Sequence, residues 1–275
     1  MSPLWSSSLH IVLAPERVTI VLRSKGLRSR EIYSKSATCA APEHGEHAWQ
    51  PALRAMKQLL QENKLGSANA TVMLSNHFVR YQLIKAQLDL SSLEEEQGFV
   101  RFSFSEIYGD EAKHWALRWG SGLDIAPQVA SAIDQSLIEQ IETTLAAVGA
   151  KLSSLQPYLM AAFNHVRKFI DTRPHWFVLV EPGSACVCFL RDNNWQLLHS
   201  TRLGADWTTE LPRVLGREFQ MVGPDSESSQ LLLCLPGAID HKRLLPDSHS
   251  LRILTMTPEM LLQGAVQAVV AKGVK

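Results

Sequence analysis

Apolar and polar positions along the first half of the chain predict a hairpin, a helix and a strand. Leu9–Leu22 is an apolar segment that is broken by the turn Ala14–Arg17, which predicts two strands. A polar stretch follows, and then an apolar stripe at helical spacing over Trp49–Asn63. The short apolar run Thr71–Leu74 predicts a further strand.

The second half repeats this order of elements. Trp176–Leu190 is again apolar and is broken by the turn Glu181–Ser184, and Trp195–Thr201 predicts a third strand. A helix over about Thr209–Phe219 and a strand over Leu231–Leu235 follow. Side-chain identity between the halves is low, so the order of elements carries the inference of a duplicated β-β-β-α-β unit.

The segment between the two halves has no counterpart in the second half and predicts a small α/β insert over 78–119. Phe78–Ile84 and His114–Trp119 are predicted to be strands. Between them, Ser91 and Glu94 form a capping box that predicts the start of a helix running to about position 107.

The insert concentrates more aromatic side chains than so small a unit is expected to bury, so we expect it to carry a partner or self-association surface. Phe99 and Phe102 lie away from the apolar stripe of its helix, and at least one of them should face outward. Trp115 and Trp119 share one side of a predicted strand and belong either to the core or to an interaction surface. The apolar stripe itself consists of Leu93, Gln97, Val100 and Phe104.

After the insert, the pattern predicts that Gln128–Ile133 is a strand that opens the second half. Asp134 is predicted to cap the helix Gln135–Val148, and Gly149 to end it. The next predicted elements are a strand and a helix, Lys151–Leu155 and Tyr158–Phe169. We therefore expect an α/β protein with a first lobe over 1–123, a second lobe over 124–255, and a closing amphipathic helix over 256–275 that packs back on the first lobe.

Composition narrows the class of protein. The chain has 275 residues, of which 45% are hydrophobic and 20% charged, as in ordinary globular proteins. Lys and Arg number 27, as do Asp and Glu, and a net charge of zero argues against a nucleic-acid partner. Because the start lacks the features of a signal peptide and no run of about 18 apolar residues occurs, we expect a cytoplasmic protein that meets a membrane only through a partner.

Two pairs of side chains have the spacing of metal ligands, but each lacks further ligands nearby. Cys186 and Cys188 lie two apart on a predicted strand, which favours packing over metal binding. His44 and His47 lie in a polar loop, which favours solvation. No metal site is therefore expected. The basic stretch Arg23–Lys35 could touch acidic headgroups or an acidic partner, but a solvated hairpin edge is the favoured interpretation.

The middle of the chain resembles a known superfamily. The strand Val129–Asp134, a helix ending at Gly149 and the segment Leu155–Phe163 resemble the actin-like ATPases, in particular the pilus-assembly protein PilM, the cytoplasmic domain of the secretion protein GspL, and the cell-division protein FtsA. The resemblance implies a duplicated actin-like, ribonuclease H-like fold. It also implies that the insert is the small subdomain that PilM- and FtsA-like proteins carry at this point.

The resemblance further implies that two hairpin turns face nucleotide phosphates, each with an acidic residue followed by glycine and small hydroxyl residues. Glycine lets backbone amides approach phosphate, and the carboxylate positions hydrated magnesium. The first turn, Leu13–Arg17, has neither glycine nor hydroxyl, and Pro15 lacks an amide donor. In the second turn, Pro182 stands where the first glycine is expected. The candidate nucleotide-binding residues are Glu181, Gly183, Ser184 and, on the adenosine side, Gly237.

These observations leave three hypotheses about function. No Walker, dinucleotide-binding, nucleophile-elbow or zincin motif is present, and no catalytic residue is assigned. The favoured hypothesis is a non-catalytic or weakly nucleotide-binding scaffold that contacts other proteins of a pilus or secretion-type assembly, with a homodimer as one such contact. The alternatives are an active ATPase or phosphotransferase that uses ATP with magnesium and Glu181, and a stand-alone α/β regulatory module.

Overall fold

A computed structural model of the chain describes residues 7–24, 30–62, 67–85, 90, 92–120, 126–223, 229–237, 250–263 and 267–269. The strands are β1 Ser7–Leu13, β2 Arg17–Arg23, β3 Glu31–Thr38, β4 Ala68–Leu74, β5 Val79–Ile84, β6 Trp115–Arg118, β7 Gln128–Asp134, β8 Ala150–Pro157, β9 His175–Glu181, β10 Ser184–Arg191, β11 Asn194–Arg202, β12 Gln230–Leu235, β13 Ser250–Thr255 and β14 Gln267–Val269. The helices are α1 Gln50–Gln61, α2 Leu93–Tyr108, α3 Gln135–Ala146, α4 Tyr158–Val166, α5 Trp207–Val222 and α6 Pro258–Gln263.

The first sheet has the strand order β3-β2-β1-β4-β8. Its first three strands pair antiparallel, and β4 and β8 each pair parallel with the strand before them in this order. Leu9, Ile11 and Leu13 of β1 are fully buried, as are Met56 and Leu60 of α1, which packs on β1, β2 and β3. Alternate residues of the strands and one face of the helix thus form this core.

The second sheet has the strand order β11-β10-β9-β12-β13-β14. Its first three strands pair antiparallel, β12 pairs parallel with β9, and β13 pairs parallel with β12. The strands β11-β10-β9-β12 therefore repeat the order and directions of β3-β2-β1-β4, and α5 precedes β12 as α1 precedes β4. The predicted duplication of a β-β-β-α-β unit is confirmed.

Both faces of the second sheet carry buried side chains. On one face, Val178, Val187 and Leu233 belong to a core that includes Leu211 and Leu215 of α5. Residues of the opposite parity face the other way. They include Phe177, whose ring centroid lies 5.7 Å from that of Phe163 in α4, and the cysteines Cys186, Cys188 and Cys234.

The three cysteines on the second sheet are fully buried. Burial raises the pKa of the Cys186 thiol to about 12 and also raises the pKa values of Cys188 and Cys234. A thiol so far from its thiolate form is a small apolar group at neutral pH. This confirms that Cys186 and Cys188 pack in the core.

The insert differs from its prediction in the origin of its central strand. Its three-stranded sheet has the order β5-β7-β6, so β7 lies between the two predicted strands of the insert. The prediction that β7 opens the second half is therefore wrong. An apolar strand pattern identifies a buried strand but not its neighbours, because pairing partners are chosen by backbone hydrogen bonds between distant segments.

The insert helix begins close to its predicted position. Ser92 Oγ accepts a hydrogen bond of 3.2 Å from the backbone N–H of Glu95, so the cap lies one residue later than predicted. Ser91 lies outside the described residues. Val100 and Phe104 are fully buried, whereas Leu93, on the same side at the helix start, is 72% exposed.

The division of the chain also differs from the predicted boundary at position 123. Of the two compact units, the first comprises the described parts of Met1–Arg80, Tyr108–Leu117 and Ala132–Met160. The second comprises the described parts of Tyr81–Ile107, Arg118–Ser131 and Ala161–Lys275. The physical reason is that β8 pairs with β4 and completes the first sheet, although it follows the insert in the chain.

The tail is not the single closing helix that the pattern predicted. The six-residue helix α6 is followed by β14, which pairs antiparallel with β13 in the second sheet. Positions 264–266 and 270–275 lie outside the described residues. The apolar pattern of the tail fits either element, because short apolar runs do not distinguish a helix from a strand.

The predicted cap of α3 is confirmed, whereas the helix ends at Ala146, two residues before the predicted end. Asp134 caps the helix, with its side chain accepting the backbone N–H of Ser136 at 2.9 Å. Gly149 follows the helix with a φ of +76°, the left-handed conformation expected after a helix end. In the described part of the chain, no helix has the length and apolar character that crossing a membrane requires.

Candidate nucleotide site and partner surface

The first hairpin turn is closed by its own backbone and by the residue that follows β3. The N–H of Ala14 donates to the carbonyl of Arg17 at 3.1 Å, which leaves Pro15 and Glu16 as the loop. The backbone N–H of Cys39 donates to the carbonyl of Glu16 at 2.9 Å. Because Pro15 has no N–H and the N–H of Ala14 is already bonded, this turn offers few donors to a phosphate.

The second hairpin turn keeps more of the expected residues. Pro182 and Gly183 form its loop, and Gly183 has a φ of +78°, which favours glycine. Glu181 and Ser184 pair across the turn and are 6% and 8% exposed. The carbonyl of Gly183 accepts the N–H of Leu203 at 3.1 Å. The turn thus places a buried carboxylate and a hydroxyl at the end of β9.

The two turns correspond position by position. Each loop has two residues between a pair of strands, and in each the first loop residue is proline, Pro15 in one and Pro182 in the other. Ala14 therefore corresponds to Glu181, so the first turn has no acidic residue where the second has one. Both turns lack an amide donor at the same place.

Gly237 lies at the same edge of the second sheet as the second turn. It follows β12, which runs parallel to β9, so the carboxyl ends of both strands are adjacent. A Cβ built on Gly237 would meet no atom within 4 Å, so packing does not require glycine there. The structure thus brings Glu181, Gly183, Ser184 and Gly237 to one edge.

Two buried polar residues follow β4 and were not among the candidates predicted from the sequence. Ser75 is fully buried, and its N–H donates to the carbonyl of Leu13 at 2.9 Å, which ties it to the end of β1. The side-chain carbonyl of Asn76 accepts the N–H of Leu159 at 2.9 Å, in the first turn of α4. The free N–H groups at a helix start are the groups that bind phosphate. At the start of α4, one of these N–H groups is bonded to Asn76 instead. In the sequence, these two residues could have been recognised as a Ser-Asn pair directly after an apolar strand.

The start of α5 carries two acidic side chains, Asp206 and Glu210, although no side chain among the residues that the structure describes caps its backbone N–H groups. Thr209 Oγ1 donates to the carboxylate of Asp206 at 2.8 Å, and Glu210 accepts the N–H of Gly204 at 2.8 Å. A Cβ on Gly204 would lie 2.6 Å from Glu210 Oε1, so another residue there would require the flexible Glu210 side chain to shift. Two carboxylates at this helix start oppose the binding of an anionic phosphate.

Of the four candidate partner-binding residues, Phe102 is exposed. Its exposed fraction is 59%, and Phe99 is half-buried. This confirms that at least one of these two rings faces outward. Leu93 and Ile107, on the same helix, are also exposed. Their exposure was not predicted, because both lie at the spacing of the apolar stripe and Leu93 was assigned to it.

The two tryptophans of the insert are half-buried and make specific contacts. Trp119 Nε1 donates to the carboxylate of Glu96 at 2.9 Å. The ring of Trp115 meets that of Tyr108 edge-on, with centroids 5.0 Å apart. A half-buried aromatic ring with a satisfied polar group can belong to a core margin or an interface, so Trp115 and Trp119 remain candidates.

The basic stretch and the two loop histidines were the other candidates predicted from the sequence. The basic stretch includes part of β3, which is the edge strand of the first sheet. Its Lys35 forms an ion pair with Glu62. The predicted position of this stretch at a hairpin edge is confirmed. Within that stretch, 25–29 lie outside the described residues. His44 is exposed, and the ring of His47 stacks on Trp49. No group of three metal-ligating side chains occurs in the described ranges.

Several solved structures are similar to this chain. One is a PilM–PilN type IV pilus biogenesis complex, with 18% identity over 82% of this chain and 80% of that chain, and a TM-score of 0.59. A Bacteroides thetaiotaomicron protein with an actin-like ATPase fold and unknown function has 11% identity over 89% and 88%, with a TM-score of 0.59. The cytoplasmic domain of EpsL, an inner membrane component of the type II secretion system of Vibrio cholerae, has 12% identity over 94% and 93%, with a TM-score of 0.56.

These identities are too low to show more than the fold. The chain has the actin-like ATPase fold, and its predicted resemblance to PilM and to the GspL-type cytoplasmic domain is confirmed at that level. The likeness to FtsA stays a prediction. No protein-family model matches the chain, and no curated protein matches it.

Proposed function

We propose that this protein is an actin-like scaffold with a degenerate nucleotide site, which acts in the cytoplasm through contacts with proteins of a pilus or secretion-type assembly. The observation that carries the proposal is the pair Pro15 and Pro182, which removes the same amide donor from both turns. The assembly context is supported by two similar structures, the PilM–PilN complex and the EpsL cytoplasmic domain.

The residues present do not fit a tightly held ATP with magnesium. In the first turn, Ala14 stands where a metal-positioning carboxylate is needed, and its N–H is bonded to Arg17. At the helix starts, Asn76 already bonds to α4, and Asp206 and Glu210 place negative charge at α5. Such a site binds nucleotide weakly or not at all.

The contact surface of the scaffold is placed on the insert helix. Phe102 is 59% exposed on α2, and half-buried Phe99, three residues before it, lies on the same side of the helix. Exposed aromatic and aliphatic groups on a small peripheral element are typical of interfaces. A second copy of the chain is one partner that this surface can serve.

A second candidate function is an ATPase or phosphotransferase of the same fold. Glu181 favours it, because a carboxylate that is only 6% exposed stands before Gly183 and Ser184 at the end of β9. In that case Glu181 would position hydrated magnesium, and ATP would be the cofactor.

The test uses the purified protein as bait for purified products of the neighbouring genes, with and without ATP and magnesium. A scaffold of the proposed kind binds an assembly component with the same affinity in both conditions. Binding that requires ATP favours the ATPase hypothesis. Absence of pilus or secretion components among the neighbours, together with no binding, favours a stand-alone regulatory module.

A further inference from the structure

Two basic side chains lie over the ring of Phe169, just after α4, and Arg167 precedes them in the chain. Lys168 Nζ lies 5.1 Å from the centroid of the Phe169 ring, and Arg252 Cζ lies 4.7 Å from it. Both distances are within the ~6 Å range of a cation–π interaction. Arg167, Lys168 and Arg252 are exposed and Phe169 is half-buried. These four residues are called the Phe169 cluster.

Two distant segments of the second unit build the Phe169 cluster. The helix α4 continues into a short turn of 3-10 helix, Arg167–Phe169. Arg252 lies on β13, next to Ile253, whose side chain belongs to the core on the α5 face of the sheet. Because neighbouring residues of a strand point to opposite faces, Arg252 lies on the other face, where α4 packs.

The positive charge of the Phe169 cluster is not neutralised within the part of the chain that the structure describes. No ion pair there involves Arg167, Lys168 or Arg252. The nearby carboxylate of Asp171 is held by Arg173, whose Nε lies 2.9 Å from Asp171 Oδ2. The pKa of His165 is lowered by burial and by the charge of Lys168.

We propose that the Phe169 cluster binds an acidic peptide segment of a partner protein. Carboxylates of that segment would lie against Lys168 and Arg252, and an apolar side chain of the segment would cover the ring of Phe169. Arginine and aromatic residues are enriched at protein interfaces, and both are present here. The Phe169 cluster contains no residue of the insert or of the candidate nucleotide site. It is therefore a second contact site, separate from the proposed surface on α2.

The small number of cations favours a peptide over a membrane or a nucleic acid. Basic segments that bind anionic membranes usually carry about four to eight Lys and Arg residues together, whereas the Phe169 cluster has Arg167, Lys168 and Arg252. Nucleic-acid binders show a basic excess, whereas this chain has a net charge of zero. A few cations around one ring match a few carboxylates beside an apolar side chain.

The test measures binding of a fluorescein-labelled peptide, Glu-Glu-Leu-Glu-Glu-Phe, to the full chain by fluorescence anisotropy. Its neutral counterpart is Gln-Gln-Leu-Gln-Gln-Phe. Lys168→Gln and Arg252→Gln should each weaken binding of the acidic peptide by up to about fivefold, which is typical of an exposed ion pair, and added salt should weaken it further. Phe169→Leu should also weaken it, because the ring is lost while the charges remain.

Matched controls remove exposed cations elsewhere. Arg213→Gln on α5 and Lys57→Gln on α1 should leave the peptide affinity unchanged. Phe102→Ser should leave it unchanged as well, which separates this site from the proposed surface on the insert. Circular dichroism and thermal unfolding of each variant verify that it is folded.

Three results would overturn the proposal. The first is equal binding of the acidic and neutral peptides. The second is equal weakening by Arg252→Gln and Arg213→Gln. The third is that vesicles of phosphatidylcholine and phosphatidylserine bind through Lys168 and Arg252 while the acidic peptide does not, which would identify a membrane contact.

Discussion

Trp49 and Asp134 are joined by a hydrogen bond although 85 residues separate them in the chain. The indole Nε1 donates to Asp134 Oδ2 at 3.1 Å, while Asp134 Oδ1 accepts the backbone N–H of Ser136 at 2.9 Å. Trp49 is the cap residue of α1 and Asp134 is the cap residue of α3. One carboxylate therefore links the starts of two helices in the first unit.

We predict that Asp134→Ala lowers the free energy of unfolding by about 2 kcal/mol, because it removes a helix cap and a side-chain hydrogen bond. Asp134→Asn keeps the cap and an acceptor, so its effect should be smaller. Urea unfolding of Asp134→Ala, of Trp49→Phe and of the variant with both changes gives a double-mutant cycle. Equal decreases in the free energy of unfolding for the alanine and asparagine variants would contradict the role of Asp134 as the cap of α3.

The degenerate turns lead to a prediction about ATP turnover. We expect steady-state phosphate release in the presence of magnesium to stay below about one per minute, because losing one preorganised donor typically lowers the rate by ~100- to 1000-fold. Glu181→Ala should leave this rate unchanged. Faster turnover that disappears in Glu181→Ala would replace the scaffold proposal with the ATPase hypothesis.

Phe102 is predicted to contribute to association. If it lies near the centre of a contact, Phe102→Ser should weaken partner or self-association by about thirtyfold, since such residues are often worth at least about 2 kcal/mol. Ile32→Ser is a matched control, because Ile32 of β3 is 58% exposed and lies outside the insert. Light scattering and pull-down of the folded variants provide the measurement. Unchanged association in Phe102→Ser would move the interface off this helix.

His10 on β1 is predicted to make stability depend on pH. Burial, and then the charge of Arg23, lower its pKa below the ordinary 6.5. The unfolded chain therefore binds the proton more readily, so stability is fully present above about pH 6.5 and is lost as pH falls through the lower folded pKa. His10→Gln should flatten the unfolding free energy between pH 7 and 5, roughly the range where histidine titrates. His44→Gln, at an exposed position, should leave the pH dependence of the unfolding free energy unchanged.

Local patterns in the sequence predicted much of the fold. The hairpin turns at Pro15 and Pro182, the cap at Asp134 and the helix end at Gly149 are all properties of short segments. The conformation of each of these segments depends on φ preferences, missing amide donors and hydrogen bonds to nearby backbone. The same local features made the candidate nucleotide turns visible before their geometry was known.

Some elements were missed because long-range pairing creates them. The strand β3 is mostly exposed and polar, so it has no apolar alternation and is held by its backbone pairing with β2. The strand β7 has a clear apolar pattern and β8 a weaker one, and both were expected in the second lobe, whereas β7 pairs with β5 and β6 and β8 pairs with β4. Side-chain pattern records burial, whereas the partner strand is decided by segments far away in the chain.

Most of the order of elements and the two proline-containing hairpin turns were determined by the sequence itself, because each element follows from residues close together in the chain. Only the tertiary structure decided that Leu93 is exposed while Val100 is buried, since both lie on one helical side and only one is covered. It alone also brought Arg252 to the ring of Phe169. Burial and side-chain contact depend on which distant segment packs against a residue, and local propensity does not contain that information.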